Sequence, residues 1–110
     1  MKFFGGLDTV WMVVMFDLPT DTPEDRKRYA RFRKLLLNDG FTMLQFSVYG
    51  RHCASEENAE VHEKRVVGGL PEGGDVRILR VTEKQFARMK TFYGKMPKKT
   101  EEPPLQLSFF

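Results

Sequence analysis

A single cysteine, Cys53, leaves no partner for an intrachain disulfide in this chain of 110 residues, which excludes a small disulfide scaffold. No Cys-x-x-Cys or His-x-x-x-His spacing surrounds Cys53, His52 or His62, so a zinc centre has no support. Those residues read as a small core thiol and as satisfied or surface imidazoles. Long hydrophobic runs are missing too. The longest, residues 10–16, is far too short to cross a bilayer, so no membrane role is expected. The N-terminal residues have neither the apolar core nor the small-residue cleavage site of a secretory signal, and a cytoplasmic, reducing setting is expected. The glycine-rich stretch 68–74 lacks the Lys-Ser/Thr of a phosphate-binding loop. Hydrolase nucleophile signatures and the Gly-Phe-Gly-Phe run of an RNA-reading sheet are also absent.

What is present is one domain's worth of ordinary globular sequence, 41% hydrophobic and 30% charged. Lys and Arg number 18 against 15 Asp and Glu, a net charge of +3 that understates a local asymmetry. Residues 26–34 hold Arg26, Lys27, Arg28, Arg31, Arg33 and Lys34 with no acid, whereas acids outnumber Lys and Arg over 51–75. A basic cluster of this kind is either the footprint of a polyanion site or a solvated helix face.

Residues 11–16 form a continuous apolar strand ending at Asp17. Turn residues follow, then Thr22 as N-cap with Pro23 at the first helical position. That helix is predicted to run to about Asn38 and stop at Gly40, with Tyr29, Phe32, Leu35 and Leu36 as its apolar stripe. A second strand is expected over 41–49, with Leu44, Phe46 and Val48 on one face. Gly50 is expected to bend the chain into a short returning strand over 51–54. Ser55 caps a second helix over 56–67, where Ala59, His62 and Val66 form a weak stripe. A strand over 76–81 follows. Thr82 and Gln85 form a capping box for a short helix carrying Phe86, Met89 and Tyr93. The order β-α-β-β-α-β is that of an α+β, ferredoxin-like fold.

The predicted organisation is an N-terminal extension over 1–9, the domain over 10–94, a polar linker over 95–104 and an apolar strand over 105–110. Leu105, Leu107 and Phe109 would place that last strand on the sheet edge of a second copy, making an exchanged homodimer. Asp17 is the sharpest single position. A carboxylate at the end of a central strand can hold a divalent cation, and Mg²⁺ needs only one or two carboxylates beside its waters. Alternatively it can accept hydrogen bonds from the turn that follows.

Several ordered runs carry a family likeness. They are Phe16-Asp17-Leu18-Pro19-Thr20, Arg26-Lys27, Phe32-Arg33-Lys34-Leu35-Leu36, Gly40-Phe41, Gln45-Phe46-Ser47-Val48-Tyr49 and Val81-Thr82-Glu83-Lys84-Gln85-Phe86-Ala87-Arg88-Met89. Over roughly residues 10–93 the chain resembles the CRISPR-associated protein two family, in the branch whose systems use a single large effector nuclease. The resemblance implies a ferredoxin-like homodimer whose C-terminal strand docks on the partner. It implies that Asp17 is the catalytic and metal-binding acid, with one Mg²⁺ per dimer between two copies. It implies nucleic-acid contacts at Arg26 and Arg28; charge alone extends these to Arg31, Arg33 and Lys34. The function implied is spacer acquisition, in which the dimer holds duplex DNA between dimers of a CRISPR integrase. Some members of the family also act as metal-dependent endonucleases on single-stranded RNA or double-stranded DNA. A toxin-like metal-dependent ribonuclease on the same fold is the competing reading.

Overall fold

The computed structural model describes residues 9–104. Their order is β1 (Val10–Asp17), α1 (Pro23–Asn38), β2 (Thr42–Gln45), β3 (Val48–Cys53), α2 (Glu56–Gly68), β4 (Asp75–Thr82), α3 (Glu83–Ala87), β5 (Thr91–Tyr93) and β6 (Met96–Lys98). β1 to β4 form one antiparallel sheet in the order β2-β3-β1-β4, with a separate β5-β6 hairpin. This is the α+β, ferredoxin-like arrangement expected from the element order.

β1 is central because both of its faces are apolar. Val10, Met12, Val14 and Phe16 pack with Phe32 and Leu36 of α1 and with Ala59 and Val66 of α2. Trp11 and Val13 turn the other way and meet Phe86 of α3, with the Trp11 and Phe86 rings stacked at 4.0 Å. Phe16 lies among Tyr29, Phe32 and Tyr49 at ring distances of 5.5, 5.1 and 5.7 Å, which fixes the end of β1 that leads to Asp17. Aromatic contacts of this kind contribute about 0.5–1.5 kcal/mol each beyond the area they bury.

α1 starts as expected. Thr22 Oγ1 accepts from the Asp25 amide at 3.0 Å, and the Asp25 carboxylate accepts from the Thr22 amide at 3.3 Å. Its end is fastened to α2 by Asp39, whose carboxylate takes His62 Nδ1 at 2.7 Å and Arg65 Nη1 at 2.8 Å. His62 is therefore a satisfied core histidine. Burial pushes the Asp39 carboxyl up, but the bonds from Arg65 and His62 outweigh it and hold the group below its ordinary value. Burial pushes the Cys53 thiol up, away from the thiolate that a metal would need. Much of the acidic surplus over 51–75 is used internally: Glu56, Glu60 and Glu63 of α2 converge on Arg80 of β4 at 2.8–3.0 Å.

The structure corrects the expected strand over 41–49. The chain reverses at Phe46-Ser47, and Gly50 lies within β3 instead of at a bend. Ser47 adopts φ +63°, held by its hydroxyl's 2.7 Å hydrogen bond with Tyr29 and by a 3.0 Å bond from the Phe16 amide to its carbonyl. Space is tight at Gly50: a Cβ there would lie 3.0 Å from Leu44 Cδ1, so the Leu44 side chain would have to give way. Leu44 and Val48 do share the face that packs beside Trp11, but Phe46 leaves it for the turn and is exposed. Two further differences lie downstream. α3 ends at Ala87, so Tyr93 is a strand residue, and the polar stretch 95–104 contains β6. Leu105, Leu107 and Phe109 lie outside the described residues.

Candidate active site

Asp17 is the last residue of β1 and is exposed. The antiparallel pairing of β1 with β4 sets it directly opposite Asp75, the first residue of β4. Directly opposed residues share a sheet face, and like charges so placed are destabilising unless something positive lies between them. Neither carboxylate takes a hydrogen bond or ion pair among the described residues, so Asp17 does not serve to brace the turn that follows it. Asp75 could have been found only from the topology. Once β4 is known to run antiparallel to β1, the first residue of one strand meets the last of the other.

The surrounding backbone is tightly fitted. Leu18 is buried and anchors the exit from β1. Gly74, at φ +78°, lets the loop entering β4 lie against it: a Cβ there would be 2.7 Å from the Asp17 carbonyl oxygen and 2.7 Å from Leu18 Cδ2. Arg26 Nη1 donates to the carbonyls of Thr20 at 3.0 Å and Asp21 at 3.3 Å, which shapes the loop between β1 and α1.

The other basic residues divide between two sides of α1. Arg28 pairs with Asp25 at 3.2 Å, a partly exposed contact of small energetic weight. Arg31 and Lys34 line a groove of about 500 Å³ with Asn38, Asp39 and Arg65. Arg26 and Arg33 are three residues before and four after Tyr29, so helical spacing puts them on the Tyr29 side of α1. Arg31, Arg33 and Lys34 are exposed and have no partner among the described residues. The structure thus gathers Asp17, Arg26 and Arg28 about one loop. It spreads Arg31, Arg33 and Lys34 along the helix that leads away from it.

Among the described residues, no group of three or more His, Cys, Asp or Glu side chains could enclose a metal ion. Two facing carboxylates still suit a hard, oxygen-preferring cation that keeps most of its waters, and they do not suit zinc. The donor chemistry therefore fits Mg²⁺ as a partly hydrated ion.

Opposite the helix layer, the sheet presents an apolar groove of about 390 Å³ lined by Val13, Met15, Leu44, Val48, Leu79 and Phe86 among others. At one end of this face the Trp11 indole N–H is buried with no acceptor among the described residues. No helix among the described residues is long and apolar enough to cross a membrane.

The family model described as CRISPR associated protein Cas2 matches residues 10–89. A CRISPR-associated endoribonuclease Cas2 of Parvibaculum lavamentivorans is 58% identical over 101 residues, covering 92% of this chain and 100% of that protein. A protein of the same name from Flavobacterium psychrophilum is 53% identical over 102 residues, covering 93% of this chain and 89% of its own length. A solved structure titled "Crystal structure of cas2" superposes with a TM-score of 0.56 at 22% identity, covering 84% of this chain and 98% of that one. At that identity the likeness speaks for the fold alone.

Proposed function

This chain belongs to the CRISPR-associated protein Cas2 family, and we propose that it is a nucleic-acid-binding homodimer of spacer acquisition that carries a metal-dependent endonuclease centre at Asp17. The observation that carries this reading is the exposed, unpartnered Asp17 facing Asp75 at the foot of a basic helix. The names of the relatives, endoribonucleases, agree with it.

Asp17 and Asp75 would hold Mg²⁺, one ion per dimer, with the second Asp17 supplied by the partner copy. When bound, the ion would supply an activated water and charge neutralisation at a phosphodiester. The residues of the chain do the rest. Arg28 and the free guanidinium edge of Arg26 meet backbone phosphate beside the carboxylates. Arg31, Arg33 and Lys34 extend that contact along α1. Contacts of this kind fix register without reading sequence, which suits a protein that must hold many different duplexes between integrase dimers. Leu18 and Gly74 keep the Asp17 backbone in place while phosphate is engaged.

The apolar face beside Val13, Met15 and Phe86 and the Trp11 N–H, which has no acceptor among the described residues, support self-association, since a second copy would cover the one and accept from the other. In this reading residues 10–98, β6 included, are the folded unit and 99–104 the tether. Leu105, Leu107 and Phe109 dock on the partner. The cell compartment is the cytoplasm, where the DNA is.

Labelled single-stranded RNA and duplex DNA, incubated with Mg²⁺ or EDTA, test the assignment. Cleavage should need the metal and vanish in Asp17→Asn with the dimer intact. Metal-independent cleavage, or cleavage by Asp17→Asn at the wild-type rate, would overturn it.

A further inference from the structure

Phe46 is a large apolar side chain left 77% exposed at the tip of the β2-β3 turn, where no folding requirement puts it. Its ring lies over Tyr29 at 5.9 Å and within 20° of parallel, and Tyr29 in turn packs on Phe16. The turn is held in place. Ser47 keeps a left-handed φ of +63°, which non-glycine residues rarely adopt, and Tyr29 and the Phe16 amide both bond to it. Because Met15 pairs with Val48 and the Phe16 amide donates to Ser47, this turn flanks Phe16 at the sheet end where Asp17 lies. Arg26 and Arg33 emerge on the Tyr29 side of α1, and Arg33 has no partner among the described residues.

An aromatic ring with one open face and arginines on the same side of the neighbouring helix matches the pattern by which proteins grip single-stranded nucleic acid, and the Asp17 carboxylate lies at the same end of the sheet. We propose that Phe46, backed by Tyr29, is a stacking platform for an unpaired nucleobase. It would place the adjoining phosphodiester at Asp17 while Arg33 meets the neighbouring phosphate. This rests on the reading that the Asp17 surface binds nucleic acid, and it adds a preference: a base in a duplex cannot offer its face to Phe46, so the platform serves unpaired substrates only.

The test is binding, measured in EDTA so that nothing is cut. The probes are a short single-stranded RNA carrying 2-aminopurine and a duplex DNA of the same length. Phe46→Ala should weaken binding of the single strand about tenfold and abolish quenching of the aminopurine, with duplex binding changed less than about twofold. Phe46→Trp should retain both affinity and quenching. Phe46→Leu, which keeps apolar bulk without a ring, should behave like Phe46→Ala. Wild-type affinity in Phe46→Leu would overturn the platform, and so would equal losses for single strand and duplex. Dissociation of Phe46→Ala to monomers on a sizing column would overturn it as well, by assigning the ring to an interface between copies. Failure of the wild type to bind either probe would instead sink the functional reading beneath it.

Discussion

Gly73 and Gly74 share one backbone conformation, φ +78°, at the entrance to β4, but their surroundings differ. A Cβ at 73 meets nothing within 4 Å, whereas one at 74 would lie 2.7 Å from the Asp17 carbonyl oxygen and 3.1 Å from Leu18 Cα. The left-handed conformation costs an L-residue about 1–2 kcal/mol. Gly73→Ala should lose that amount and no more. Gly74→Ala adds a collision with backbone that cannot swing aside, about 1–3 kcal/mol by comparison with overpacked cores. Its total is then about 2–5 kcal/mol. For a domain of this size each kcal/mol moves Tm by about 4–8 °C. Gly74→Ala should therefore melt about 8–40 °C below the wild type and Gly73→Ala about 4–16 °C below it. Thermal unfolding followed by circular dichroism measures both. Protein concentration must be held fixed, because self-association raises apparent stability. At a temperature where both variants are folded, Gly74→Ala should also lose more metal-dependent cleavage, since the displaced atoms belong to Asp17 and Leu18. Equal melting shifts for the two variants would refute the claim that this loop is packed against the exit of β1.

Three other outcomes are expected. Asp39 has a folded pKa below its ordinary 3.8, so its stabilisation is present above that value and is lost as pH falls through the lower folded one. Asp39→Asn should cost about 1–3 kcal/mol near neutral pH and flatten the acid limb of the stability curve, measured by urea unfolding across pH; an unchanged acid limb would contradict this. Joint replacement of Arg26 and Arg28 by Ala should reduce the slope of log affinity for duplex DNA against log salt by about 2, without altering sequence preference. Removal of residues 105–110 should produce monomers or aggregates on a sizing column, and an intact dimer would refute strand exchange.

The elements that could be read from the sequence are those whose cause is local. β1 is a run of apolar residues, and the starts of α1, α2 and α3 are written in Thr22, Ser55 and Thr82, each of which accepts the expected amide. The β2-β3 turn was not legible because its cause is tertiary. Phe46-Ser47 has no Gly, Pro, Asn or Asp, and its positive φ is sustained by Tyr29 from α1 and by Phe16 from β1. Gly50 reads as a bend but lies within β3, where a Cβ would press on the Leu44 side chain. At the candidate site, Asp17 stands out because it closes an apolar strand. Asp75 does not, because its relation to Asp17 exists only in the β1-β4 register. The polar stretch 95–104 reads as a linker, yet β6 forms there by pairing with β5.

On the proposed function, cleavage belongs to the carboxylates, and grip on duplex belongs to α1. The most direct measurement is a Mg²⁺ titration of single-stranded RNA cleavage, with duplex binding recorded on the same preparations of wild type, Asp17→Asn and Asp75→Asn. The account predicts that Asp17→Asn abolishes cleavage at every Mg²⁺ concentration, that Asp75→Asn shifts the requirement to higher Mg²⁺, and that both bind duplex at least as tightly as wild type. Cleavage by Asp17→Asn that saturates with Mg²⁺ as in the wild type, or loss of binding in step with loss of cleavage, would contradict it.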